Sequence, residues 1–254
     1  ATEHDNASTL GDEPFQFYQK FKNKVEIFVC ENRVEGIRTA LQLKPGIQVF
    51  LLDDAFQHRR VKPMLSILLT EFSKPFFNDF ILPRGRLRES RYGCKRADVI
   101  MVTKCISVTN EVEQKYQAEI HSYSSIKPIF FTKINYSEPI SFAEGEIKRD
   151  IVLVSGIANS VMLKEHVTAN YNLVLHFNFG DHHRYSSKDI EQIQIASIEN
   201  YASIITTEKD YAKLIHMDID KKLWFYLPIQ SSFINSGSEF DRYVYEKIEN
   251  HLSK

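Results

Sequence analysis

Cysteine is scarce and scattered: Cys30, Cys94 and Cys105 are an odd set with no C-x-x-C spacing. That argues against a disulfide framework or a cysteine zinc site and reads as reduced cytosolic thiols. An excess of one charge sign is missing too. The 32 Lys and Arg residues stand against 33 Asp and Glu, a formal net charge of −1, which makes no electrostatic case for nucleic acid as a partner. Long apolar runs are absent. The longest charge-free stretches cover 151–163, too short for a bilayer, and 223–238, which Gln, Ser, Asn and Gly interrupt. No transmembrane helix is expected, although a local apolar patch suffices for contact with a membrane surface. There is no internal repeat and no low-complexity tract.

What is present is an ordinary globular balance, 43% hydrophobic and 26% charged over 254 residues, enough for one or two α/β domains. Residues 1–10 are patternless and expected to be extended or disordered. Gly11-Asp12-Glu13-Pro14 places a capping residue and a first-turn proline ahead of a helix over 14–22. Residues 24–30 alternate as a strand, 32–43 read as a helix, and 48–52 are a short apolar run of the kind buried on both faces in a parallel sheet. Residues 65–70 and 99–103 repeat that pattern, and 111–122 form a helix between further strands. This alternation predicts a doubly wound α/β sheet over 1–136. The polar stretch 137–150 reads as a linker. Residues 151–254 read as a smaller α/β domain, with strands at 151–155, 173–177, 203–206 and 223–227 and helices at 160–169, 187–200 and 240–251.

Several clusters carry chemistry. Asp53-Asp54 ends an apolar run and is followed by Ala-Phe-Gln-His-Arg-Arg. In open α/β sheets ligands bind at the carboxyl ends of strands, where acidic residues hold Mg²⁺ and so neutralise nucleotide phosphates. A solvated turn is the plain alternative, though few such turns gather Gln57, His58, Arg59 and Arg60. Leu82-Pro-Arg-Gly-Arg-Leu-Arg-Glu89 offers Arg84, Arg86 and Arg88 to oxyanions, with Glu89 available to a metal's oxygen shell. A solvated basic loop would look the same. Gly180-Asp-His-His-Arg-Tyr185 sets an imidazole beside a carboxylate, which suits general-base work and equally suits a metal. Thr206-Thr-Glu-Lys-Asp210 fits a capped helix start. Phe76, Phe77 and Phe80 fit either core packing or a bilayer interface.

Taken in order, Gly-Asp-Glu-Pro14, Glu-Asn-Arg33, Asp-Asp-Ala-Phe-Gln-His58, Leu-Pro-x-Gly-x-Leu-Arg-Glu89, Lys-Arg-Ala-Asp98, Asp-His182 and Thr-Glu-Lys-Asp210 make the chain resemble the tetraacyldisaccharide 4'-kinase family from about Gly11 to about Lys213. Ala55 departs from the glycine common there. The resemblance implies a P-loop NTPase-like core with a smaller carboxyl-terminal α/β domain, ATP and Mg²⁺ as cofactors, and transfer to the 4'-hydroxyl of the acylated glucosamine disaccharide precursor of lipid A. It implies work at the cytoplasmic face of the bacterial inner membrane, with the full-length protein touching the membrane surface. By position it implies Asp12 and His182 as the catalytic pair, and Asp53, Asp54 and Glu89 on the metal side. Arg33, Gln57, His58 and Arg88 would then position phosphates.

One departure is large. The G-x-x-x-x-G-K-[ST] loop that cradles phosphates is not found, since no Gly-Lys pair occurs in these 254 residues. In the family that loop precedes Gly-Asp-Glu-Pro, together with a membrane-associated helix. With Ala1 rather than Met at the front, the 254 residues read as a fragment, expected to be inactive by itself. Two other classes remain open. A metal-dependent phosphoesterase of the Asp-His-His type would hydrolyse without nucleotide, and a non-catalytic lipid- or nucleotide-binding remnant would share every motif but the loop.

Overall fold

In the computed structural model, which describes residues 1–2, 5–21 and 24–253, the helical and strand patterns take the following order. Helices α1 (Ala7–Leu10) and α2 (Asp12–Phe21) are separated by Gly11, whose φ of +94° is a backbone state that side chains disfavour. Then come α3 (Arg33–Leu43), β1 (Ile67–Glu71), β2 (Val99–Thr103), α4 (Asn110–His121), β3 (Ile129–Tyr136), β4 (Ile140–Ser141) and β5 (Asp150–Ser155). The chain continues through α5 (Val161–Asn170), β6 (Asn172–Asn178), α6 (Ser187–Glu199), β7 (Ser203–Thr207), α7 (Glu208–Leu214), β8 (Trp224–Leu227), β9 (Ile229–Phe233) and α8 (Gly237–Leu252).

Two compact units result, Ala1–Ala40 with Tyr136–Ile229, and Leu41–Asn135 with Gln230–Lys254. This grouping differs from a division into 1–136 and 151–254. Phe15 of α2 is fully buried and its ring meets His216 at 6.0 Å, so the start of the chain joins the later sheet. At the other end, Phe240 of α8 packs edge-on to Phe130 at 5.3 Å. The stretch 137–150 is more than a linker: it contains β4, which pairs antiparallel with β8.

The first unit holds a five-stranded sheet in the order β4-β8-β7-β5-β6, parallel apart from β4. Successive residues of β5 point to opposite faces. Val152 and Val154 enter a core with Ile190, Ile193, Ile204 and Trp224, while Ile151 and Leu153 enter another with Leu163, Val167, Ile205 and Phe225. Burial on both faces explains the continuous apolar run.

The second unit is a four-stranded sheet, β1-β2-β3-β9, whose first three strands are parallel. Its core gathers Phe77, Cys94, Ile100, Val102, Cys105, Ile120 and Phe131. All three cysteines are free. Phe76 packs against that core, whereas Phe80 is 45% exposed beneath the guanidinium groups of Arg84 and Arg91 at 4.2 and 5.0 Å.

Four local expectations differ from the structure. Residues 1–10 contain α1 rather than only extended chain, and the helix expected over 14–22 begins at Asp12, while residue 22 lies outside the described residues. The runs 24–30 and 48–52 are not strands; Val49 and Leu51 are exposed. An apolar run signals a wish for burial, but a strand also needs a neighbour that completes its ladder. Among the described residues no helix is long and apolar enough to cross a membrane.

Candidate active site

Within the first unit, chemistry collects where β5, β6 and β7 end, the edge at which parallel sheets bind ligands. After β6 the chain turns through Gly180 and Asp181 to His182, whose φ of +58° is left-handed. The turn is held by Asp181 Oδ1, which accepts the His182 amide at 3.0 Å. It delivers the imidazole Nδ1 to 3.1 Å from Asp12 Oδ2. Asp12 opens α2, where the helix dipole favours a carboxylate. The same Oδ2 meets Lys213 Nζ at 3.0 Å. Burial pushes the Asp12 carboxyl up, but hydrogen bonds from Lys213 and His182 and the charges of Lys213 and Lys209 outweigh it and hold the group below its ordinary value. An ionised Asp12 only accepts, so Nδ1 of His182 carries the hydrogen. Among the described residues no donor meets Asp12 Oδ1.

Helix α7 supports this pair. Thr207 Oγ1 caps it by accepting the Asp210 amide at 3.0 Å. Asp210 is fully buried; its Oδ2 accepts Gly156 N–H at 2.8 Å and the Thr207 hydroxyl at 2.7 Å. Lys209 Nζ meets Asp181 Oδ1 at 2.9 Å, and Asp181 Oδ2 stands 3.6 Å from His182 Nε2. His183 takes a different course: its ring stacks on Phe179 at 4.2 Å and its Nε2 lies 3.3 Å from Asp189 Oδ2. Of the two adjacent histidines, His182 is therefore the one bonded to Asp12. Among the described residues no group of three or more His, Cys, Asp or Glu side chains is arranged to hold a metal ion.

In the second unit, the turn after residues 48–52 presents Asp53 and Asp54, the latter with φ +44°. Asp54 Oδ2 accepts from Arg88 Nη1 at 2.9 Å. Glu89 Oε1 receives Arg96 at 2.6 Å and Gln57 at 3.0 Å, and Oε2 lies 3.5 Å from Arg59. Arg96 is the main reason the Glu89 carboxyl falls below its usual value; burial opposes this, and Gln57 and Arg59 add to it. Both Glu89 oxygens are thus already engaged. His58 is exposed in the turn, where its amide donates to the Ala55 carbonyl at 2.9 Å. The structure brings Asp54 together with Arg88, and Gln57 with Glu89. Arg33 lies in the first unit, at the start of α3, and donates to the Cys30 carbonyl.

With this geometry in hand, similarity to known proteins becomes informative. The chain matches the family described as Tetraacyldisaccharide-1-P 4'-kinase over residues 1–249. It belongs to that family. It is 42% identical to the tetraacyldisaccharide 4'-kinase of Flavobacterium johnsoniae, over 99% of this chain and 74% of the relative. Identity to the protein of that name from Cytophaga hutchinsonii is 33%, over 100% of this chain and 74% of the relative. The fold is that of LpxK from Aquifex aeolicus, solved in complex with ATP: the TM-score is 0.70 at 24% identity, covering 96% of this chain and 71% of that one. The α/β fold of that structure is therefore the fold of this family member too.

In this member of the 4'-kinase family, three residues that sequence reasoning gave no part in the chemistry, Lys209, Asp210 and Lys213, stand with Asp181 around the Asp12–His182 pair. A signal for part of this was available. Lys209, inside the capping Thr207-x-x-Asp210, and Lys213 stand four apart, the spacing that places two side chains on one helix face.

Proposed function

We propose that the chain is an ATP-dependent kinase that phosphorylates the 4'-hydroxyl of the acylated glucosamine disaccharide precursor of lipid A. The observation that carries this is the Asp12 carboxylate, fixed through Oδ2 by His182 and Lys213, while among the described residues no donor meets Oδ1. ATP supplies the γ-phosphoryl group: the bond between its γ-phosphorus and the β–γ bridging oxygen breaks, and ADP leaves with that electron pair. Asp12 Oδ1 takes the proton of the sugar hydroxyl, and the electron pair of that O–H bond stays on the oxygen that accepts the phosphoryl group. His182 sets the plane of the carboxylate, and the catalysis is mostly positioning.

In the second unit, Arg88 with Gln57 and His58 would hold phosphate charge, as would Arg33 in the first, because guanidinium forks suit phosphate oxygens. The adjacent carboxylates of Asp53 and Asp54 fit Mg²⁺, which needs only one or two carboxylates beside water and phosphate oxygens. Glu89, its oxygens committed to Arg96, Gln57 and Arg59, fits instead as the anchor of those side chains. With a lipid acceptor and ATP as donor, the work belongs in this reading at the cytoplasmic face of the inner membrane. The Asp-His-His phosphoesterase reading finds no support, since His183 is packed on Phe179 and paired with Asp189.

The test is phosphoryl transfer from γ-labelled ATP to the lipid disaccharide by the protein expressed from its complete reading frame. Asp12→Asn and His182→Ala are each expected to lower kcat by about 10²–10⁴-fold. Wild-type turnover in Asp12→Asn would refute the assignment of the base.

A further inference from the structure

Helix α7 presents two lysines one turn apart, and each is committed to a different carboxylate flanking the same imidazole. Lys213 Nζ lies 3.0 Å from Asp12 Oδ2, 3.3 Å from the His183 carbonyl and 3.9 Å from Asp210 Oδ1. Lys209 Nζ lies 2.9 Å from Asp181 Oδ1. On the imidazole, Nδ1 faces Asp12 at 3.1 Å and Nε2 faces Asp181 at 3.6 Å. The two lysine side chains are only 12% and 15% exposed, unlike the solvated head groups of ordinary surface lysines. Drawing an ammonium this far out of water costs free energy, and a peripheral ion pair returns little of it. Such a placement is understandable when the charge has a task.

We propose that Lys213 and Lys209 are positioning residues for the transfer reaction, α7 acting as a two-lysine clamp that fixes Asp12 and Asp181 on either side of His182. The proposal rests on the reading of Asp12 as base. The helix is suited to this because it is itself immobilised: Thr207 caps it and the buried Asp210 ties it to Gly156. Lys20 and Glu208, 3.0 Å apart, join α2 to α7 and neutralise each other. The titratable groups facing Asp12 are therefore His182, Lys213 and Lys209, with Asp181 and Asp210 behind them, while Phe15 of the same helix packs on His216. Burial alone would raise the Asp12 carboxyl, and Lys213 is the first of the groups that oppose it.

The test uses the complete protein with Lys213→Met, Lys213→Arg and Lys209→Met. Lys213→Met is expected to lower kcat by about tenfold or more with KM for ATP changed less than about twofold, as expected when positioning at the reacting group is lost. The acid limb of its kcat/KM profile should move to higher pH, and Lys213→Arg should bring it back. Carboxyl ¹³C NMR should show Asp12 titrating at higher pH in Lys213→Met, a readout independent of turnover. A purely structural lysine would lower the amount of folded enzyme without moving either titration. An unchanged acid limb and an unchanged Asp12 titration would overturn the proposal, whereas full activity in Asp12→Asn would overturn only the base assignment beneath it. Should Lys213→Met fail to fold, Lys209→Met decides. The Asp181 carboxyl should then titrate higher with reduced kcat, and no change in either refutes the clamp.

Discussion

Adding a single methyl group at Gly156 tests how firmly the support of the site is built. A Cβ there would lie 2.8 Å from Asp210 Oδ1 and 3.1 Å from the Tyr185 hydroxyl. The first distance is inside van der Waals contact, so something must move. Asp210 has little room to do so: it has no exposure, and its Oδ2 is held by the Gly156 amide at 2.8 Å and Thr207 at 2.7 Å. Overpacking of this kind costs about 1–3 kcal/mol. Losing one hydrogen bond to a charged carboxylate costs about 1.5–3 kcal/mol more. The stiffer unfolded chain returns only about 0.4–1 kcal/mol. Gly156→Ala should therefore destabilise the first unit by about 1.5–5.6 kcal/mol. Gly180→Ala is the control, since no atom lies within 4 Å of a Cβ at that position. Its effect should stay within about 0.5 kcal/mol. Urea unfolding followed by Trp224 fluorescence is the assay, because this lone tryptophan is buried in the same unit as both glycines. Equal stability of the two variants would refute the picture of a pinned Asp210.

In the second unit, Glu89 should give a pH-dependent contribution. Its native carboxyl lies below the usual value, so its stabilisation is present above the ordinary carboxylate range and is lost as pH falls through the native value. Glu89→Gln should cost about 1–2 kcal/mol at neutral pH, and the difference from wild type should shrink as pH falls through the native carboxyl value. Thermal unfolding by circular dichroism measures this, and a gap that does not change with pH would contradict it. The neighbouring phenylalanines should separate sharply. Phe77→Ala, at a 5% exposed core position, should cost about 3–5 kcal/mol, and Phe80→Ala, at 45% exposure, less than about 1 kcal/mol. Similar losses would mean that Phe80 is packed in solution.

The elements that could be read from the sequence are those whose residues state their own environment. β2, β5 and β7 are runs of apolar or β-branched residues buried on both faces, and their patterns survive without any knowledge of neighbours. β9 reads Ile-Gln-Ser-Ser-Phe and β4 is only Ile140–Ser141; neither has an apolar run, and both exist because another strand offers them a ladder. The converse holds for 24–30 and 48–52, whose patterns suit strands that the described structure does not form. At the site, the residue types of Asp12 and the Asp-His-His triplet were visible. The family resemblance paired Asp12 with His182, but local pattern by itself could not, because their meeting spans 170 positions in the chain. Nor does sequence order distinguish His182 from His183, since the two differ in what surrounds them and in the left-handed φ at His182.

The amino-acid order accounts for the composition class, most of the helices and central strands, and the ordered motifs by which this chain belongs to the 4'-kinase family. These are properties of local pattern and of residue identity. Tertiary structure alone decided that α2 packs beside α7, that Lys213 reaches Asp12 while Lys209 reaches Asp181, and that Glu89 is already claimed by Arg96 and Gln57. Each of those depends on distances of a few ångströms between segments far apart in the chain. Charge, burial and hydrogen bonding act over such distances, and only packing sets them.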